Sequence, residues 1–185
     1  MMRHISAWGR LFGSARFRFV WIPGALVMAI VWILSAKASA TPALGVITNE
    51  TLAMGVAPDG ISERVRIKKT ERRAERWHVQ LNAEGSTDYY SHHLVLSPGG
   101  HSGWHSHPGL LVAAVKSGKI DFYDANCERQ TIGPGEVYTE DDDVHAIVNT
   151  GAVDADLYIT FLVKHGAPRR VDESAPACAV YTPIP

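Results

Sequence analysis

The chain has little cysteine, no acid near its start, no helical periodicity over its second half and no apolar run suited to a routine membrane span. Its only cysteines are Cys127 and Cys178, too few for a disulfide scaffold, so the fold must rest on buried apolar surface. Composition permits that: 46% of the 185 residues are apolar and 20% charged, which excludes a disordered chain. The roughly 145 residues from Thr41 onward suffice for one core, with neither metal nor disulfide obligatory. No acidic residue precedes Thr41, whereas Arg3, Arg10, Arg16, Arg18 and Lys37 do. The remaining 13 Lys and Arg then face all 19 Asp and Glu, a balance of −6. An acidic mature part argues against nucleic acid as the partner, because phosphate binding needs a basic surface. There is no internal repeat and no low-complexity block.

What stands at the N-terminus is an address. Four arginines precede an uncharged run from Phe19 to Leu34 that contains Pro23-Gly24. A full span needs roughly 20 apolar residues, and this run is shorter. Ala38-Ser39-Ala40 follows, the small-x-small form that a signal peptidase accepts. The expectation is therefore a secretory signal over residues 1–40, cleaved before Thr41, with the domain secreted or periplasmic. The alternative is an uncleaved anchor with the domain outside, which would be the chain's one link to a membrane. No cysteine lies near the cleavage site and no adjacent arginine pair precedes the run, so neither lipoprotein processing nor a twin-arginine route is indicated. Export also favours pairing of Cys127 with Cys178, since oxidising compartments promote disulfides. That bridge would pin a Pro-rich tail, residues 166–185, onto the domain.

After Gly85 short β-type runs alternate with turn signals. Residues 88–97, 110–116, 119–123, 128–132, 135–138, 144–148 and 156–163 read as strands, separated by Pro98-Gly99-Gly100, Ser117-Gly118 and Gly133-Pro134-Gly135. Such spacing indicates an all-β sandwich or barrel over residues 85–165. Upstream, residues 41–84 hold a segment from Val46 to Val56 that fits a strand or a short helix. They also hold a mixed-charge run, Arg64 to Arg76, that fits a solvated hairpin or edge strand.

The chemistry is concentrated in Gly99-Gly100-His101-Ser102-Gly103-Trp104-His105-Ser106-His107-Pro108. Strand alternation puts His105 and His107 on one face about 6–7 Å apart, a spacing from which two imidazoles can converge on one ion. His145, in a further short strand, is the third candidate. Neutral imidazole is the commonest metal ligand and suits Zn, Cu and Fe. A lone strand histidine is more often a packing or surface residue; an H-x-H pair after a Gly-rich turn is harder to dismiss. His101 reads as a pocket-rim residue or an extra ligand. Of His92 and His93 at most one can look inward, and Trp104 reads as packing. Tyr138 and Phe161 are pocket-lining candidates.

Here the sequence resembles the cupins. Gly99, His105, His107 and Gly118 fit the family's first motif, G-x5-H-x-H-x(3–4)-E-x6-G. Gly135, His145 and Asn149 partly fit the second, G-x5-P-x-G-x2-H-x3-N. The match runs from about Tyr90 to Lys164 and is similar to small secreted single-domain cupins. The resemblance implies a double-stranded β-helix, a jelly-roll barrel, here preceded by an apolar signal helix. It also implies that His105, His107 and His145 ligate one divalent metal (Zn, Cu, Mn or Fe). Two departures stand out. The motif's Glu would fall at Leu111 or Val112, neither able to coordinate, which leaves a three-histidine site. The Pro-x-Gly is replaced by Glu140-Asp141-Asp142-Asp143, from which Asp143 could supply a carboxylate instead, or which could be a solvated turn.

Three functions follow as expectations. The first is a metal enzyme, an oxygenase or isomerase acting on a small molecule in an apolar pocket lined by Leu111, Val112, Ile147 and Phe161. The second is a module that binds metal or a small ligand without turnover, and the third a structural domain, with a homodimer compatible with each. No general base stands out, so no catalytic residue is assigned.

Overall fold

The computed structural model describes residues 40–67, 77–181 and 184. The expected signal helix and part of the charged run lie outside the described residues. Twelve β-strands and one short 3-10 helix account for the regular structure described, so the all-β expectation holds. The segment open to two readings is a strand, β1 (Leu44–Ala57). It runs antiparallel to β4 (Thr87–His101), with bulges that interrupt the register. β2 (Gly60–Ile67) and β3 (Trp77–Glu84) form a separate antiparallel hairpin that carries the described part of the charged run.

The remaining main strands are β6 (Gly109–Ser117), β7 (Ile120–Tyr123), β8 (Arg129–Ile132), β9 (Val137–Glu140), β10 (Ala146–Val148) and β11 (Ala155–Lys164). They join β4 in one antiparallel sheet, in the order β8-β7-β10-β4-β11-β6-β9, that curls into a nearly closed barrel. The driving pattern is plainest in β11. Ala155, Leu157, Ile159, Phe161 and Val163 point inward and are buried, while Asp156, Tyr158, Thr160, Leu162 and Lys164 alternate with them. Each fully buried Leu or Ile stabilises the fold by about 1.5–3 kcal/mol. A one-residue slip would turn the whole set to solvent, so the pattern fixes register. Leu111, Ala113 and Val115 of β6 face the same core, together with Leu96, Ile120, Ile132 and Ile147. Val112, expected in the pocket, is 37% exposed on the outer face, because it alternates with Leu111.

The tail is less irregular than its prolines suggest. β12 (Val171–Asp172) pairs with the two-residue β5 (His105–Ser106), through Val171↔Ser106 and Asp172↔His105. Further on, a 3-10 helix (Ala177–Tyr181) carries Cys178, which is bonded to Cys127. A second cluster forms beneath it, built from Trp104, Tyr123, Ala146, Val148, Ala179 and Ile184. Trp104 is thus a packing residue, fully buried.

Candidate metal centre

Three backbone hydrogen bonds assemble the site. His105 N–H donates to His145 O at 2.9 Å, and His145 N–H returns the bond to His105 O at 2.8 Å. His107 N–H donates to Asp141 O at 3.1 Å. The H-x-H segment is therefore zipped against residues 141–145, which brings together side chains forty residues apart. Gly103, two residues before His105, lets the backbone pass close to Thr41. Its φ is +71°, and a Cβ there would lie 2.0 Å from Thr41 O, so only glycine fits. The ring centroids are 4.8 Å apart for His105 and His107, 4.4 Å for His105 and His145, and 5.2 Å for His107 and His145.

A fourth group joins them. Glu140 is 5% exposed and closes a set, with His105, His107 and His145, whose donor atoms all lie within 4.8 Å of one another. The three-histidine reading without a carboxylate is thereby corrected. In the β6–β9 pairing Glu140 sits directly opposite Leu111, one of the two positions where the motif's carboxylate was missed. Side chains directly opposite on one face have Cβ atoms about 4.5–5.5 Å apart, so the carboxylate comes from the neighbouring strand. A signal for it was present in the sequence. Tyr138 was read as facing the pocket, and period-2 alternation carries the same face to Glu140.

Asp143 is exposed, and it is its carbonyl, not its carboxylate, that reaches the site. His101 is buried but lies outside the cluster. Its Nδ1 accepts from Gly103 N–H at 3.2 Å, and burial lowers its pKa. Tyr138 is buried in the pocket wall, its pKa pushed well above the phenol range by burial and then by the Glu140 charge. Of the two mid-strand histidines His92 is the inward one, at 4% exposure, whereas His93 pairs with Asp156 at 2.8 Å.

Tautomers follow from the acceptors. Each cluster histidine sets Nδ1 against a backbone carbonyl: His105 against Gly103 O (2.9 Å), His107 against Arg169 O, and His145 against Asp143 O (2.7 Å). A carbonyl only accepts, so every Nδ1 carries the proton and every Nε2 offers a lone pair. Those of His107 and His145 meet the Glu140 carboxylate. His107 Nε2 lies 2.9 Å from Oε2, and His145 Nε2 lies 3.2 Å from the same oxygen without hydrogen-bonding geometry. Lone pairs facing lone pairs need a positive charge between them, either a proton or a cation. Electrostatics reflect that demand. Burial alone would raise the Glu140 carboxyl, but His107 and His145 outweigh it and hold it below the usual carboxylate range. Burial likewise would lower His145, yet Glu140 raises it overall, while burial wins at His105 and lowers it.

The donor set fits a divalent ion. Imidazole nitrogen and carboxylate oxygen bind such metals at about 2.0–2.2 Å. His105, His107, His145 and Glu140, whose donor atoms lie within 4.8 Å of one another, would be the residues to hold it. Carbonyl acceptors behind each ligating imidazole are the usual way in which ligand orientation is fixed.

A curled antiparallel barrel with three imidazoles and a carboxylate turned into its lumen defines a β-barrel protein with a candidate metal centre. Residues 92–161, 70 of the 185, match the family model of the cupin domain. A comparison with curated proteins finds no match. Among solved structures, an uncharacterised conserved protein with a double-stranded beta-helix domain from Klebsiella pneumoniae is similar at 19% identity. That alignment covers 46% of this chain and 76% of the other, with a TM-score of 0.41. A predicted oxalate decarboxylase from Thermotoga maritima aligns at 23% identity over 43% of this chain and 83% of its own, TM-score 0.37. The polyketide cyclase RemF from Streptomyces resistomycificus aligns at 17% identity over 49% and 66%, TM-score 0.40.

Proposed function

We propose that this protein is an exported cupin that holds one divalent metal through His105, His107, His145 and Glu140 and uses it on a small organic molecule. The observation that carries the reading is the orientation of the imidazoles. Three Nδ1 groups are tied to carbonyls, the Nε2 atoms of His107 and His145 face a buried carboxylate, and the donor atoms of all four residues lie within 4.8 Å of one another. A metal bound there would supply Lewis-acid polarisation of a substrate oxygen, or redox chemistry if it is Fe, Mn or Cu.

The chain's own residues supply the chamber. A cavity of about 170 Å³ opens from the cluster, with an apolar wall of Leu94, Leu96, Leu111, Ile147, Ile159 and Phe161 facing polar groups that include Asn49, His92, Ser102, Arg169 and Arg170. Cavities of this kind exclude water and orient a ligand by a small number of polar contacts. An oxygenase or isomerase reaction fits such a chamber.

A second reading, a binding module without turnover, is favoured by one observation. Beyond the cluster the pocket holds one further histidine, His92, and both its ring nitrogens are engaged, by Asn49 and Arg169. No free base faces the cavity among the described residues. Elemental analysis of protein purified from its native compartment tests the metal, and unchanged content in His105→Ala or His145→Ala would overturn the ligand assignment. Oxygen uptake over phenolic, thiol and keto-acid substrates separates enzyme from binder. N-terminal sequencing of the same protein tests export: a start at Thr41 is expected, and a start at Met1 refutes cleavage.

A further inference from the structure

Two arginines from the tail reach the cavity, and their surroundings differ. Arg170 is neutralised: Nε lies 2.6 Å from Asp172 Oδ1, and Nη2 donates to Ser102 O at 2.8 Å. Arg169 has no carboxylate within 4.0 Å among the described residues. Its guanidinium carbon lies 5.1 Å from the Tyr90 ring centre and 5.6 Å from that of Phe161. Nη1 donates to His92 Nδ1 at 3.0 Å, while His92 Nε2 donates to Asn49 Oδ1 at 2.6 Å. His92 is thereby committed to the neutral form that can accept from a cation. A guanidinium has five N–H donors, and the structure gives Arg169 one partner for them.

Charge makes this unusual. The part after residue 40 is acidic overall, yet this cation lines the cavity with no carboxylate within 4.0 Å among the described residues. With a dication bound, three neutral imidazoles and one carboxylate leave the centre at +1. Arg169 adds a second positive charge. The other polar groups of the lining, Asn49, Ser102, His92 and Tyr138, are neutral, and Arg170 is already paired. Phe161 links the two charges, since its ring lies 5.3 Å from that of His107 as well as beneath Arg169.

We infer that the cavity takes an organic monocarboxylate with a compact apolar body, its anionic group held between the metal and the Arg169 guanidinium. A planar fork of donors matches a carboxylate, and the aromatic faces hold that fork in place. Size sets the body. A cavity of about 150 Å³ accommodates benzene, so 170 Å³ corresponds to an acid built on one ring or a short branched chain. The inference rests on the metal-centre reading for one of its two charges, but Arg169 can be tested separately.

The test is calorimetric titration of zinc-loaded full-length protein with benzoate and with benzamide, its neutral isostere. Benzoate is expected to bind at least about tenfold more tightly, as charge-assisted hydrogen bonds require. In Arg169→Gln that preference should fall by about tenfold. Arg169→Lys, which keeps the charge and the aromatic contacts, should lie between. Equal binding of the two probes by the wild type would overturn the inference, and so would a preference undiminished in Arg169→Gln, which would belong to the metal alone. Metal content of the same samples separates the two readings. A wild type that takes up no zinc on loading, yet prefers benzoate and loses the preference with Arg169, supports the arginine site and refutes the metal centre.

Discussion

Replacing Glu140 by glutamine removes the one charge from the cluster while keeping its shape. In the metal-free protein the change should cost little. A glutamine amide can donate N–H to Nε2 of His107 and of His145, now 2.9 and 3.2 Å from a carboxylate oxygen. The two imidazoles are then neutral with their Nε2 lone pairs satisfied, so neither buried nitrogen is left without a partner. Metal binding should suffer far more. Substitution of groups that merely orient a ligand lowers affinity about 10–100-fold, so loss of the anionic ligand should reach at least the upper figure. At a free metal concentration near 1,000 times the wild-type Kd, binding stabilises the fold by about 4.1 kcal/mol; with Kd raised 100-fold this falls to about 1.4. The difference of about 2.7 kcal/mol corresponds to roughly 8 °C in Tm for a chain of this size. The assay is a thermal melt by circular dichroism with and without zinc, for wild type and Glu140→Gln. An equal zinc-induced rise in both proteins would refute Glu140 as a ligand. A collapse of the metal-free variant would refute the claim that the amide satisfies the imidazoles.

Other expectations concern the scaffold. Asn149 is fully buried, donates to Leu96 O and Val153 O at 2.8 Å each, and accepts from Gly151 N–H at 2.9 Å. Asn149→Ala should therefore cost about 3 kcal/mol, measured by urea unfolding, and a loss under 1 kcal/mol would contradict this account. Cys127 and Cys178 are 51 residues apart in sequence, so the double serine variant should lose up to about 4 kcal/mol in the chain-entropy model. Because β12 and Arg169 O lie on the same tail, its metal affinity should drop as well, measured by chelator competition. His92 has its pKa lowered to about 4, by burial first and then by the Arg169 and His93 charges. The unfolded chain takes up this proton near 6.5 and the folded chain only near 4, so stability is present above pH 6.5, declines as pH falls and levels off below 4. The loss is at most about 3 kcal/mol, and His92→Gln should remove this component from unfolding curves taken between pH 7.5 and 4.

Much of this was legible one residue at a time. Period-2 alternation and Gly/Pro punctuation determined the strands from Thr87 to Lys164, because a half-buried strand must write its two faces into the sequence. The H-x-H pair and its downstream partner were equally plain, since imidazoles at strand spacing are uncommon without a shared task. Pairing of the cysteines followed from their even number together with the expectation of export. Other features belong to no single segment. Glu140 was hidden in an acidic run, and only the opposition of β9 to β6 shows that it faces Leu111 and the histidines. Asp143 lies in the same run and stays in solvent, because the turn offers the site its carbonyl and not its side chain. Arg169 looked like one more charge in a Pro-rich tail until β12 laid that tail against β5. The sequence alone determines which residues can carry the chemistry, through local period and residue type. Which carboxylate joins the histidines and which cation lines the cavity is decided by strand register and by where a tethered tail is fastened, quantities that depend on contacts between distant segments.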